Sequence, residues 1–250
     1  MPQIGVSSTL GPSKNKKYVV FGSCLSGQIG IRLKKRGYQF LGSLRHIRSD
    51  VLLNALLGKE GFTLTKNNVD NLAEYIKVKN EKQIKALSDR IEQNTKDSLE
   101  CFLKSLREAD FIVFDNQYDL ERERGVVDFE GLRHVVSNVN VNHFDLPSRR
   151  LGLLSDKRIG NYNEINQALK KINPSAKLIF VQYPVLDGED LDISGRGERI
   201  KRSILTSEFR GSWEFLSTPL YKVGMDHASE KILITLSPLF IKDYRKWLRQ

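Results

Sequence analysis

Four apolar residues, Tyr18 to Phe21, run directly into Gly22, Ser23 and Cys24, and beyond that turn Leu25, Ile29 and Leu33 recur at helical spacing. An apolar run, a glycine and then a 3.6-residue period describe a buried strand that turns sharply into a helix. Gly22 supplies the conformational freedom for the turn. Ser23, Cys24 and Ser26 then fall where the first backbone N–H groups of a helix have no partner within the helix. In open α/β sheets ligands bind at the carboxyl ends of the strands, so a thiol and two hydroxyls here form a candidate reactive centre.

The rest of the chain repeats this alternation. Gly37 is the expected stop of the first helix, and a second helix is expected over Ser49 to Leu57, capped by Ser49 or Asp50 and ended by Gly58. Lys66 to Asp70 reads as polar chain. Ile84, Leu87, Ile91, Leu99, Phe102 and Leu106 then share one face of a single helix expected over Glu81 to Glu108, in which Cys101 reads as a packing residue. Asp110 to Asp115 and Lys177 to Tyr183 carry the apolar cores FIVF and LIFV of buried strands. Between them lie an irregular stretch, Asn116 to Gly160, and a helix over Tyr162 to Ile172 stopped by Asn173 and Pro174. Leu220 to Met225 and Lys231 to Leu236 are strand candidates, with a closing helix over Phe240 to Leu248.

Strands separated by helices argue for parallel crossovers and a three-layer α/β/α, flavodoxin-like sheet. Met1 to Lys16, rich in Gly, Ser, Pro and Lys, is expected to form a flexible arm. Residues 17–250 then make one domain with a helical insertion around 66–108.

Forty Lys and Arg against thirty Asp and Glu give a formal charge of +10, which favours anionic partners. The basic residues are scattered, without an RNP, zinc-finger or basic-zipper pattern, so charge is the sole argument for nucleic acid. No apolar run reaches the ~20 residues that span a bilayer and no signal-peptide pattern opens the chain, so a cytoplasmic protein is expected. The two cysteines, Cys24 and Cys101, make neither a disulfide framework nor a zinc site, and His134 and His143 lack ligand spacing to either. No metal is expected.

YVVFGSCLSGQIG resembles the first block of the SGNH or GDSL hydrolase superfamily, in which a buried strand runs into G-D-S-L and a helix. Gly22 and Leu25 match, Ser23 replaces the Asp, and Cys24 stands at the nucleophile. The G-S-C triplet is similar to the GSCFA-type and capsule-polysaccharide biosynthesis branches of that fold. In ADFIVFDNQYDLERERG, Asn116 resembles the oxyanion-hole Asn, with Phe114 and Gln117 in place of the Gly and Asp of the G-x-N-D pattern. Asp115, followed by Glu121 and Arg122, resembles the G-S-C branch. VGMDHASEK is similar to the D-x-x-H block, with His227 as the His, Gly224 at the Asp position and Asp226 adjacent.

The resemblance implies an SGNH-like sheet and acyl transfer or acyl-ester hydrolysis on a bacterial surface carbohydrate or its precursor. Cys24, or Ser23 with the turn shifted by one, would be the nucleophile and His227 the base, with Asp226 as its neighbouring carboxylate. The Cys24 N–H and Asn116 would hold the oxyanion, with Gly42 as a third donor. Acyl-CoA is the natural donor for transfer, and the basic balance suits its phosphates as well as an anionic glycan. Two rival readings are a non-catalytic carbohydrate-binding or assembly protein on the same fold and a nucleic-acid binder.

Overall fold

The computed structural model describes residues 15–59, 62–78, 80–121, 124–137, 139–150, 162–182, 213–217, 223–226 and 231–234. Strand β1 (Lys17–Gly22) passes through Ser23 into α1 (Cys24–Lys35), and β2 (Gln39–Arg45) follows. After α2 (Ser49–Leu56), α3 (Lys66–Ala73), α4 (Glu81–Glu92) and α5 (Lys96–Arg107), the chain forms β3 (Phe111–Asp115) and the short α6 (Gln117–Glu121). Strands β4 (Arg124–Phe129), β5 (Leu132–Ser137) and β6 (Ser148–Arg150) precede α7 (Tyr162–Ile172) and β7 (Lys177–Gln182); β8 (Trp213–Ser217), β9 (Val223–Asp226) and β10 (Lys231–Ile234) complete the described strands.

Five strands make one parallel sheet in the order β2-β1-β3-β7-β8. Counted in chain order within the sheet this is 2-1-3-4-5, the flavodoxin-like order, whose crossover direction reverses between β1 and β3. Helices cover both faces. On one, Gly30 of α1 lies so close to Val20 that a Cβ there would sit 2.9 Å from its Cγ2. On the other, Phe21 meets Phe102 of α5 at 6.3 Å between ring centroids. The three-layer α/β/α class read from the sequence is what the chain forms. β3 is buried along its whole length, as a central strand covered on both faces must be.

Several local expectations are corrected. β2 had no counterpart in the sequence reading, because as the edge strand of the described sheet it is only partly buried and lacks a continuous apolar run. The Lys66 to Asp70 segment is helical, started by Thr65 and Asn68 in a reciprocal capping box. The single helix over Glu81 to Glu108 is two. Asn94 Nδ2 donates to the Arg90 carbonyl at 2.8 Å, ending α4, and Thr95 accepts from the Ser98 N–H at 3.2 Å, starting α5. Cys101 is exposed on α5, whose buried face is carried by Phe102 and Leu106. α2 is not capped by Ser49 or Asp50; the Ser49 N–H donates to Asp119 Oδ1 of α6 at 2.8 Å.

The stretch after Asn116 is also ordered differently. β5-β4-β6 form an antiparallel sheet with two working faces. Val126 and Val135 join the main core, whereas Val127, Phe129 and Val136 pack with Val69, Leu72, Leu87 and Ile91 of α3 and α4 in a second cluster. β9 and β10 pair with each other, antiparallel, and the strand that follows β7 in the parallel sheet is β8. Residues 1–14 of the arm expected over Met1 to Lys16, and the closing helix expected over Phe240 to Leu248, lie outside the described residues. Among those described, no helix is long and apolar enough to cross a membrane.

Candidate functional site

The crossover reversal between β1 and β3 brings two strand ends together, and a carboxylate locks them. Asp115, the last residue of β3, is buried; its Oδ2 accepts from the Ser23 N–H at 2.8 Å and the Ser26 N–H at 3.0 Å, and its Oδ1 from the Gln117 N–H at 3.0 Å. A carboxylate taking two amides from the start of a helix is favoured by the helix dipole as well as by the hydrogen bonds. Gly22 makes this possible. Its φ is +128°, and a Cβ there would stand 2.7 Å from Asp115 Oδ2.

Ser23 is the N-cap of α1. It is fully buried, and its Oγ accepts from the Leu25 N–H at 3.0 Å, while the Ser26 hydroxyl donates to the Ser23 carbonyl at 3.1 Å. Cys24 is the first residue of α1, one turn before Gly27. Asn116, next after Asp115, is fully buried at the same sheet edge.

β2 delivers a third group, absent from the sequence reading. His46 follows its last residue with φ +65°, and its N–H donates to the Gly22 carbonyl at 2.8 Å, tying it to the turn that carries Cys24. A non-glycine residue in the left-handed region is uncommon, and such conformations gather at functional sites. The ring Nδ1 is hydrogen-bonded to the Tyr118 hydroxyl, and the two rings meet edge to face at 5.5 Å. Burial, followed by the positive charges of Arg45 and Arg90, pushes the His46 pKa down to about 4. The imidazole is therefore neutral at neutral pH, held in orientation by Tyr118.

The loop behind it is fixed by charge. Arg48 clasps Asp50 through Nε at 3.0 Å and Nη2 at 2.9 Å, and both side chains are buried. This fork, the Asp119 cap on α2 and the Asp115 anchor pin the segments after β2, β3 and β1. A rigid edge with one thiol-bearing residue at a helix start and one oriented neutral imidazole is suited to nucleophilic chemistry.

The other expected site residues fall elsewhere. Gly42 sits mid-strand in β2, paired with Val19, and its missing side chain makes room for Ser105 of α5, whose Oγ would lie 2.9 Å from a Cβ. It is a packing glycine away from the carboxyl end of the strand, apart from the turn that carries Cys24. Asp226 ends β9 opposite Lys231 in the hairpin with β10. His227 lies outside the described residues. His134 is a core residue of the antiparallel sheet, bonded to Thr63 Oγ1 at 2.8 Å and the Phe129 carbonyl at 3.1 Å. His46 and Tyr118 were hidden because they become neighbours only once β2 is paired with β1. No protein-family model and no curated protein matches the chain.

Proposed function

We propose that the protein is an SGNH-like acyltransferase or esterase that forms a thioester on Cys24. Its substrate in this reading is a bacterial surface carbohydrate or its precursor, and the step is cytoplasmic, with acyl-CoA as donor where the reaction is transfer. The observation that carries the proposal is the bond from the His46 N–H to the carbonyl of Gly22, two residues before Cys24, in a turn held by Asp115, with the His46 ring held by Tyr118. A helix N-terminus favours the thiolate form of a cysteine placed there.

In this mechanism the thiol proton passes to the imidazole as the sulfur of Cys24 bonds to the acyl carbonyl carbon. The carbonyl π pair moves to oxygen. Its return breaks the bond to the donor's alkoxide or thiolate, which leaves with that proton. An acceptor hydroxyl, or water, then adds to the thioester while giving its proton to the imidazole, and the Cys24 sulfur departs and recovers it. The Cys24 N–H and Asn116 are the proposed oxyanion donors. His46 is the proposed base: its ring is neutral at neutral pH, and because its pKa is about 4 it takes the thiol proton only as the S–C bond forms. Ser23 is occupied as an N-cap, which supports Cys24 as the nucleophile.

Intact mass spectrometry after incubation with a panel of acyl-CoA and acyl-ester donors tests the proposal. A single acyl adduct is expected on the wild-type chain and on His227→Ala, none on Cys24→Ala, and a slowly formed one on His46→Asn. An adduct that survives Cys24→Ala transfers the role to Ser23, and a slow adduct confined to His227→Ala restores His227 as the base. If no donor leaves an adduct, the enzyme reading falls and the carbohydrate-binding reading takes its place.

A further inference from the structure

A groove of about 260 Å³ runs along the sheet face under α1, between that helix and the edge strand β2. Its origin is legible in the local geometry. The register of β2 against β1 slips between Tyr18 and Val19, so that Phe40 is paired with Tyr18 but Gly42, not Leu41, is paired with Val19. The extra residue puts Phe40, Ser43 and Arg45 together along the groove, while Gly42 turns to Ser105 of α5 on the opposite face. From the helix side the floor is open because Gly27 and Gly30 carry no side chains.

The groove is apolar along its length and cationic where it holds charge. Phe40 and Ile31 line it and remain 41% and 49% exposed, unusually open for large apolar side chains. Lys34 and Arg45 are the charged lining residues, and among the described residues no carboxylate lines it. Arg45 lies across α1 at Gly27, with Nη1 3.3 Å from where a Cβ would stand. Its Nε is buried and has no hydrogen-bond partner among the described residues. The Nε is covered, so it is the rest of this partly exposed guanidinium that the groove presents to a ligand, and a carboxylate is the group that fits it. The size excludes a large ligand: apolar cavities of ~150 Å³ hold benzene, and drug-sized sites begin at ~300 Å³.

We infer that this groove binds the aliphatic chain of a short- to medium-length carboxylic acid, with its carboxylate on Arg45 and its tail running between Phe40 and Ile31. The inference rests on the proposed acyl chemistry only in linking the groove to Cys24, one helical turn from Gly27; there it names the acyl group as aliphatic. Residues 1–14 contain no Asp or Glu and so bring no side-chain carboxylate to Arg45.

Octanoate titrated calorimetrically into the full-length Cys24→Ala chain separates binding from chemistry. Saturable one-to-one binding is expected, with no comparable binding of octylamine. Arg45→Met, which keeps the side chain's bulk, should weaken octanoate at least ~10-fold, and Ser43→Phe, which fills the groove, should abolish binding. The circular dichroism of both variants is compared with that of the parent. No binding by the parent, equal binding of octylamine, or undiminished binding by a folded variant overturns the inference. Octanoate binding without any adduct from octanoyl-CoA on the wild-type chain would leave the groove and remove the thioester mechanism. A Cys24 adduct formed equally well by Ser43→Phe would do the reverse.

Discussion

Asp115 holds three backbone amides, and Gly22 is the residue that lets it do so. Gly22→Ala combines a forbidden φ with a collision against a side chain that cannot withdraw without releasing those amides. We expect a loss of about 3 kcal/mol in urea unfolding. Gly58→Ala is the control: its φ is +65°, yet nothing lies within 4 Å of the added methyl, so about 1 kcal/mol is expected. His46 makes stability depend on pH. Its pKa falls from 6.5 in the unfolded chain to about 4 in the folded one. Above pH 6.5 the ring is neutral in both states and its contribution is complete; between 6.5 and 4 the unfolded chain binds a proton that the folded chain refuses. Stability is therefore lost as pH falls through that window, by as much as about 3 kcal/mol at its lower end. His46→Asn tolerates the left-handed backbone and should flatten the slope between pH 7 and 5, whereas His134, also pushed down by burial, keeps its share in both proteins. An unchanged slope would show that His46 is not a buried neutral ring. The turn and Asp115 were legible in the chain because both sit beside continuous apolar runs. His46 was not, since its importance comes from hydrogen bonds to Gly22 of β1 and Tyr118 of α6, far from it in sequence.

Helices were read well where one apolar face served one core. α7 was expected over Tyr162 to Ile172 and forms there, ended by Asn173, whose Nδ2 donates to the carbonyls of Leu106 and Ala109. The segment over Glu81 to Glu108 misled because its apolar spacing continues across a break. Leu87 and Ile91 of α4 enter the second cluster, whereas Phe102 and Leu106 of α5 enter the main one. Periodicity reports a face, not the body that face meets. Thr95 marks the change of direction: it caps α5 and donates to the Glu92 carbonyl at 2.9 Å, closing the end of α4 as well. Thr95→Ala should therefore cost about 1–2 kcal/mol, near the top of the range for N-caps, in thermal or urea unfolding. A loss below ~0.5 kcal/mol would mean that Ser98 and water replace both bonds.

At the scale of the whole molecule, the parallel sheet was legible from alternating strands and helices, but its order and its second body were not. Strand order depends on which edges meet, and β2 carries too little buried surface to announce itself. The antiparallel sheet is concealed for a related reason: β4 and β5 divide their side chains between two cores, so neither face gives a long apolar run. That division has a thermodynamic consequence. Of the residues on β4 and β5, Val126 and Val135 belong to the main core, while Val127, Phe129 and Val136 face α3 and α4. Deleting two buried carbons from Val127, which is fully buried, should cost about 2 kcal/mol of the second cluster's stability. The parallel sheet loses none of its own contacts. Native-state hydrogen exchange read by mass spectrometry should therefore accelerate in the peptides covering α3, α4, β4 and β5 of Val127→Ala, with those covering β1 and β3 close to wild type. Val113→Ala, at the centre of β3, should instead accelerate exchange in both bodies, because the second cluster packs on a core that the substitution weakens. Equal acceleration throughout Val127→Ala would show that the two clusters open as one unit, with Val126 and Val135 sufficient to couple them.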